Sequence, residues 1–201
     1  ASGEPAVGDT AVVDGTTFTL QAVETDDTCQ GHAYDAVAAF FGGTDCTGLE
    51  RSLWSADAGG QPAVVSFSQV TMPDAASAQA LRSLADTDGS GNVSDLLREG
   101  VRYEGGPTKL SGAQYASDLA GTSVLIVETA WTGEAGASSA LDGLASTALS
   151  LADTDAANRG RRRGEGHLGQ QRGHGRAGQP PGAVRRGVDQ AEHRVRPGPA
   201  D

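Results

Sequence analysis

Two cysteines, Cys29 and Cys46, bracket the cleanest amphipathic stripe in this 201-residue chain. Ala33, Ala36, Val37, Phe40 and Phe41 fall at i, i+3, i+4, i+7 and i+8, the spacing of one helical face. Gly42-Gly43 supplies the C-terminal stop for a helix over about 32–41. Cys29 lies about a turn ahead of that stripe, and the chain folding back after the glycines brings Cys46 toward the helix start or its neighbour. Two states compete for these cysteines: free buried thiols in a reducing compartment, or one disulfide in an oxidising one. The helix periodicity favours the disulfide. Closing a loop of this length stabilises a fold by about 3 kcal/mol in the chain-entropy account, and a structural disulfide implies export. There is no CxxC, no Cys/His cluster and no zinc spacing.

Charge divides the chain. Residues 1–157 carry five cationic side chains against 22 acids, a net of −17, whereas residues 158–201 carry ten arginines against four acids, a net of +6. So acidic a body is a poor partner for a phosphate backbone, which makes nucleic acid an unlikely ligand for it. The single lysine and the abundance of Ala, Gly, Thr and Asp resemble secreted proteins of high-GC organisms. Nothing in the chain reaches the roughly 18 consecutive apolar residues a membrane span needs. It opens on Ala1 without methionine, so an upstream segment was removed or not included, and the sequence does not show whether that segment held a signal peptide or an anchor.

Residues 1–10 read as a polar, Gly/Pro-bearing linker. Asp14-Gly15 between two β-prone runs is a hairpin signal. After the stripe come two strand candidates, Leu49–Ala56 and Ala63–Val70, joined by a Gly-rich connection that suits an antiparallel hairpin. Asp74 is placed to cap a second helix whose face carries Ala78, Leu81 and Ala85. A loop at 86–94, a short helix at Asp95–Glu99 and a short strand at Val101–Tyr103 are expected next. Ser123–Trp131 is the strongest strand, and its uninterrupted Val124–Val127 predicts burial on both faces. A last helix at 137–152 follows from Leu141, Leu144, Ala145, Ala148 and Leu149. The order predicts a single α+β domain over 11–155: a mainly antiparallel sheet with helices packed on it, its central part resembling a ferredoxin-like split unit.

From Asn158 the text changes in kind. Arg159-Gly160-Arg161-Arg162-Arg163-Gly164 opens 44 residues with only Leu168, Val184, Val188 and Val195 as large apolar groups. That composition predicts a disordered Arg/Gly-rich tail. The abrupt switch to GC-rich codons also fits a frameshift or read-through product better than a nucleic-acid-binding arm.

One stretch suggests a specific ligand. In Asp86-Thr87-Asp88-Gly89-Ser90-Gly91-Asn92-Val93-Ser94-Asp95-Leu96-Leu97, oxygen-bearing side chains stand at loop positions 1, 3, 5 and 9, with glycine at 6. That partly resembles an EF-hand or dockerin calcium loop. Asp86, Asp88, Ser90, Asn92 and Ser94 are the candidate ligands, and calcium is the one cofactor suggested. Leu97 replaces the bidentate carboxylate expected at position 12, so any affinity falls at the loose end, on the order of 10⁻³ M. The structural alternative is an interhelical loop with Ser94 capping the turn that begins at Asp95. His32, the one histidine before the tail, has Asp35 along the same helical face, but no GxSxG elbow, Walker loop, GxGxxG or HExxH accompanies it. Aromatic residues are too few and scattered for a stacking platform.

Cys29-Gln-Gly-His32-Ala-Tyr34, Cys46, Ala63-Val-Val-Ser-Phe-Ser-Gln-Val-Thr-Met-Pro73, Gly91-Asn-Val-Ser-Asp-Leu-Leu-Arg-Glu-Gly100 and Ile126-Val-Glu-Thr-Ala-Trp131 together resemble an uncharacterised actinobacterial family. Its domains typically stand outside the membrane, secreted or behind an anchor or low-complexity linker. The resemblance spans about residues 10–133 and implies export and the disulfide, but no activity; the arginine-rich end has no counterpart in it. The expectation is therefore an exported, non-catalytic module binding an unknown protein or cell-envelope component. The alternatives are a weak calcium-binding module ordered through the 86–97 loop, and an extracellular hydrolase using His32 or a carboxylate pair.

Overall fold

Asp14 and Gly15 adopt positive φ (48° and 80°), the left-handed pair that a two-residue hairpin turn needs. They join β1 (Thr10–Val13) to β2 (Thr16–Asp26) with Val13 opposite Thr16. The computed structural model describes residues 5–154, so the basic 158–201 segment lies outside the described residues. Then follow α1 (Asp35–Gly43), β3 (Gly48–Ala58), β4 (Gln61–Thr71), α2 (Ala75–Ala85), β5 (Gln114–Ala120), β6 (Ser123–Trp131) and α3 (Ser138–Ala148). All six strands form one antiparallel sheet in the order β1-β2-β3-β4-β6-β5. The fold is α+β, as the sequence predicts. The ferredoxin-like expectation is corrected: a split unit places a third strand between β2 and β3, and here those strands pair directly across α1.

Side chains alternate across a strand, so residue parity sorts the core into two faces. One face carries Phe18, Leu20, Trp54, Val65, Phe67, Leu125 and Val127, covered by Leu141, Leu144, Ala145 and Ala148 of α3. The other carries Leu49, Val70, Val124 and Ile126 under Val37 and Phe41 of α1, Ala78 and Leu81 of α2, and the cysteines. A further apolar group on this second face joins Leu53, Val64 and Ala130 to Leu96 and Leu97. Leu20 and Ala22 flank a register shift in β2, after which Glu24 and Asp26 face the second side. Val124 through Val127 are all buried, as their run of β-branched and aliphatic residues predicts.

The cysteines are joined: Cys29 and Cys46 form a disulfide with Cα atoms 5.6 Å apart and a separation of 17 residues. Asp74 caps α2, its carboxylate accepting from the Ser77 amide at 2.7 Å. Several local expectations are corrected. The first helix begins at Asp35 rather than residue 32, because His32 and Tyr34 pair instead with residues 92–94. Residues 95–100 form a hydrogen-bonded turn, and Val101–Tyr103 is not a strand. The missing strand is β5, whose weak alternation hides in Gln114-Tyr-Ala-Ser-Asp-Leu-Ala. At the other end, the Gly8 amide donates to the Leu20 carbonyl and the Leu20 amide to that of Asp9, so these two residues run alongside β2.

Candidate functional site

The polar side chains of the second sheet face gather where two loops lie on it. The first loop, Cys29–Tyr34, precedes α1; the second, Gly91–Gly100, follows α2. They are laced together by the Tyr34 amide donating to the Asn92 carbonyl (3.1 Å), the Ser94 amide donating to the His32 carbonyl (2.8 Å) and a bridge between Ala33 and Val93. Gly91 makes this approach close: at φ +80° its Cα lies so near the Tyr34 carbonyl that an added Cβ collides with it.

Beneath the loops, Arg51 occupies an inward position of β3 between Leu49 and Leu53, with only 1 % of its surface exposed. A buried guanidinium needs anionic partners. It has Glu99 at 2.6 Å, Asp26 at 3.0 Å and Glu24 at 3.7 Å, and it donates to the Ser94 carbonyl at 3.0 Å. His32 closes the group, with Nδ1 2.9 Å from Glu99 and Nε2 3.6 Å from Asp26. Burial pushes the Glu99 carboxyl up, but hydrogen bonds from Arg51 and His32 outweigh it and hold the group below its ordinary value. His32 therefore pairs with Glu99 and Asp26, and not with Asp35. With both ring nitrogens turned to carboxylates, neither is aimed at a hydroxyl nucleophile.

Beside this group stands Glu128 on β6, on the face that Ile126 and Ala130 share. Burial drives its carboxyl up to about 7; Asp95 adds to the shift and Arg98 opposes it. Arg98 stacks over the Tyr34 ring at 3.8 Å, and burial, with Glu128 second, raises the Tyr34 phenol.

The calcium-loop candidates are spread over different tasks. Asp86 turns toward β5, its Oδ1 accepting from Tyr115 (3.0 Å) and Ser117 (2.6 Å) while Arg82 approaches its Oδ2 at 3.6 Å. Asp88 is exposed. The buried Ser90 hydroxyl points at the Leu84 and Thr87 carbonyls (2.5 and 2.7 Å). Asn92 Oδ1 accepts from the Val93 amide at 2.8 Å. Ser94 does not cap the following turn; Asp95 does, accepting from the Arg98 amide at 2.9 Å. Among the described residues, one group of His, Cys, Asp or Glu ligand atoms converges within 4.8 Å: Cys29, Asp45 and Cys46, whose sulfurs are both in the disulfide. Asp45 there accepts from the Cys29 and Cys46 amides at 2.9 and 2.8 Å, which fixes the loop ends that the disulfide joins.

Sequence reasoning missed Arg51, Asp26 and Glu128 as members of the site. The signal for two of them is parity: Arg51 shares a face with Leu49 and Leu53, and Glu128 interrupts a run otherwise apolar on both faces. Asp26 carried no such signal, because the register shift in β2 changes its face. At the end of β2–β4 where Asp26 lies, Thr25, Asp26, Asp27, Glu50, Gln69 and Thr71 border an open recess of about 260 Å³. No helix among the described residues is long and apolar enough to cross a membrane. Comparison with protein-family models, with curated proteins and with solved structures finds no match to this chain.

Proposed function

We propose that this protein is an exported, disulfide-stapled binding or cell-envelope module without catalytic activity. The observation that carries the reading is the Cys29–Cys46 disulfide itself, seated in the core beside Val37 and Phe41. Such a bridge persists where thiols are oxidised, outside the cytosol. The likeness of residues 10–133 to a family of exported domains supports the same compartment. Binding is favoured over catalysis by how the reactive side chains are used. His32, Arg51, Asp26 and Glu99 engage one another to fasten two loops to the sheet. The open, polar recess at the end of β2–β4 suits a hydrated contact with a protein or envelope polymer better than an enclosed apolar ligand.

Fractionation of the native host, with free thiols blocked at lysis, tests this reading. The expected result is recovery in the extracellular or surface fraction with no alkylated cysteine. Recovery from the cytosol with both cysteines alkylated overturns it.

A further inference from the structure

The two edges of the sheet are finished differently. On β5 the protein closes the edge with its own side chains. The Ser117 carbonyl accepts from Arg82 Nη2 at 3.0 Å, and the Leu119 amide donates to the Asp118 carboxylate at 2.8 Å. Asp118, 3.5 Å from Arg82 Nη1, adds an exposed charge to the same strand. Charges and caps of this kind keep an edge from pairing with another chain.

The β1 edge carries no such device. The Leu20 amide donates to the Asp9 carbonyl at 2.8 Å, which sets the alternation along the strand. Asp9, Ala11 and Val13 turn their backbone groups to β2; Thr10 and Val12 turn theirs outward. Among the described residues no hydrogen bond reaches those outward groups. Side chains alternate too: Ala11 and Val13 pack in the core under α3, whereas Val12 is 65 % exposed. Val7, just ahead of the strand, is 67 % exposed, so the most exposed large apolar side chains described gather at this edge. The charge there has one sign. Asp9 and Asp14 stand exposed at the two ends of β1, and residues 5–26 contain no Lys, Arg or His.

We propose that the outer edge of β1 is a docking site for an extended, cationic segment of a partner protein, which adds a further strand to the six-stranded sheet. The outward N–H and C=O groups of Thr10 and Val12 hold the segment by backbone bonds, as in other strand additions. An apolar side chain beside Val12 covers that exposed valine, and basic side chains meet Asp9 and Asp14. Pairing β1 with the β1 of a second copy satisfies the same backbone groups but sets acid against acid. Charge therefore selects the basic partner. The site is separate from the disulfide and does not depend on the compartment inferred from it.

Amide hydrogen exchange on the full chain tests this with a short synthetic peptide of alternating valine and lysine. At saturating peptide the Thr10 and Val12 amides should exchange on the order of tenfold more slowly, with the β5 amides unchanged. A peptide of alternating valine and glutamate should have no effect. Val12→Pro removes an outward donor where an edge strand tolerates proline, and should abolish the slowing. Asp14→Asn suits the left-handed turn equally well and should weaken binding of the lysine peptide severalfold. No slowing in the wild type overturns the proposal, as does equal slowing at β5 or an equal response to both peptides. So does slowing that survives Val12→Pro, or wild-type affinity in Asp14→Asn; the wild-type and Asp14→Asn arms decide the matter if Val12→Pro does not fold. Thr10 and Val12 amides already slow without peptide overturn it as well. Slow exchange at every protein concentration would mean that the chain covers its own edge, and slow exchange only at high concentration, with a dimer mass, that a second copy is the occupant.

Discussion

Arg51 shows how one residue can set the character of a whole face. It is nearly free of solvent, yet its guanidinium reaches Asp26 on β2 and both Glu99 and the Ser94 carbonyl in the Gly91–Gly100 loop. Removing it leaves two half-buried carboxylates with His32 as their one shared partner. Arg51→Ala should therefore lower stability at neutral pH by about 3–5 kcal/mol, as expected when one member of a buried ion pair is deleted; urea denaturation measures this. Glu99 yields a second expectation through its depressed carboxyl. A group whose folded value lies below its unfolded one, here ordinarily 4.5, contributes stability that is present above that value and is lost as pH falls through the folded one. The urea midpoint should accordingly fall on acidification below about pH 4.5, and Glu99→Gln should flatten that part of the profile while lowering stability at neutral pH. An acid limb identical in both proteins would show that Glu99 is not responsible. Arg51 was legible in principle, since an arginine at the parity of Leu49 and Leu53 announces a buried cation. Its partners were not, because spacing within a strand says nothing about which loop will cover it.

At the scale of elements, the disulfide and Gly91 bind the covering loops in different ways. The bridge joins the chain before α1 to the chain entering β3 across 17 residues. The Cys29→Ala, Cys46→Ala pair should lose about 2–4 kcal/mol, mainly through a less restricted unfolded chain. Native wild-type protein should show no titratable thiol. Gly91 acts on the folded state alone. Its positive φ and its approach to the Tyr34 carbonyl leave no room for a methyl group. Gly100 has φ +95° but open space around it. Gly100→Ala should thus carry only the conformational cost, about 1 kcal/mol, and Gly91→Ala distinctly more; thermal melts of the two variants side by side separate them. The same contrast explains what could be read ahead of the structure. α2 and α3 were predictable because each packs a regular apolar stripe on one face of the sheet, and β3, β4 and β6 because their apolar residues are dense enough to fill the core on both faces. The start of α1, the 95–100 turn and β5 depend on contacts distant in sequence. Residues 32–34 leave the helix to pair with 92–94. β5 is a half-exposed edge strand, and the strand beside it supplies most of its hydrogen bonds.

For the molecule as a whole, the dominant long-range term is its own negative charge. Residues 1–157 carry a net of −17 with their five cations already counted, and the arginines paired with acids, Arg51 and Arg82, leave most of the carboxylates without a cationic neighbour. Self-repulsion on this scale weakens a compact state and is screened by salt over a Debye length of about 10 Å at 0.1 M. Added sodium chloride should therefore raise the melting temperature. Calcium offers a sharper test of the 86–97 loop, because a divalent ion screens the surface in any case and only a built site adds a specific increment. The oxygens that would form such a site are already directed elsewhere: Asp86 toward Tyr115 and Ser117, Ser90 toward the Leu84 and Thr87 carbonyls, and the Asn92 carbonyl toward the Tyr34 amide. Freeing them would dismantle the contacts that hold the loop to α1, α2 and β5. Calcium in the low millimolar range should then stabilise the protein no more than magnesium at equal concentration, and Asp88→Asn should leave that comparison unchanged. A melting temperature raised by calcium alone, and lost in Asp88→Asn, would show that the loop rebuilds around the ion and would make calcium the organiser of the surface over β6.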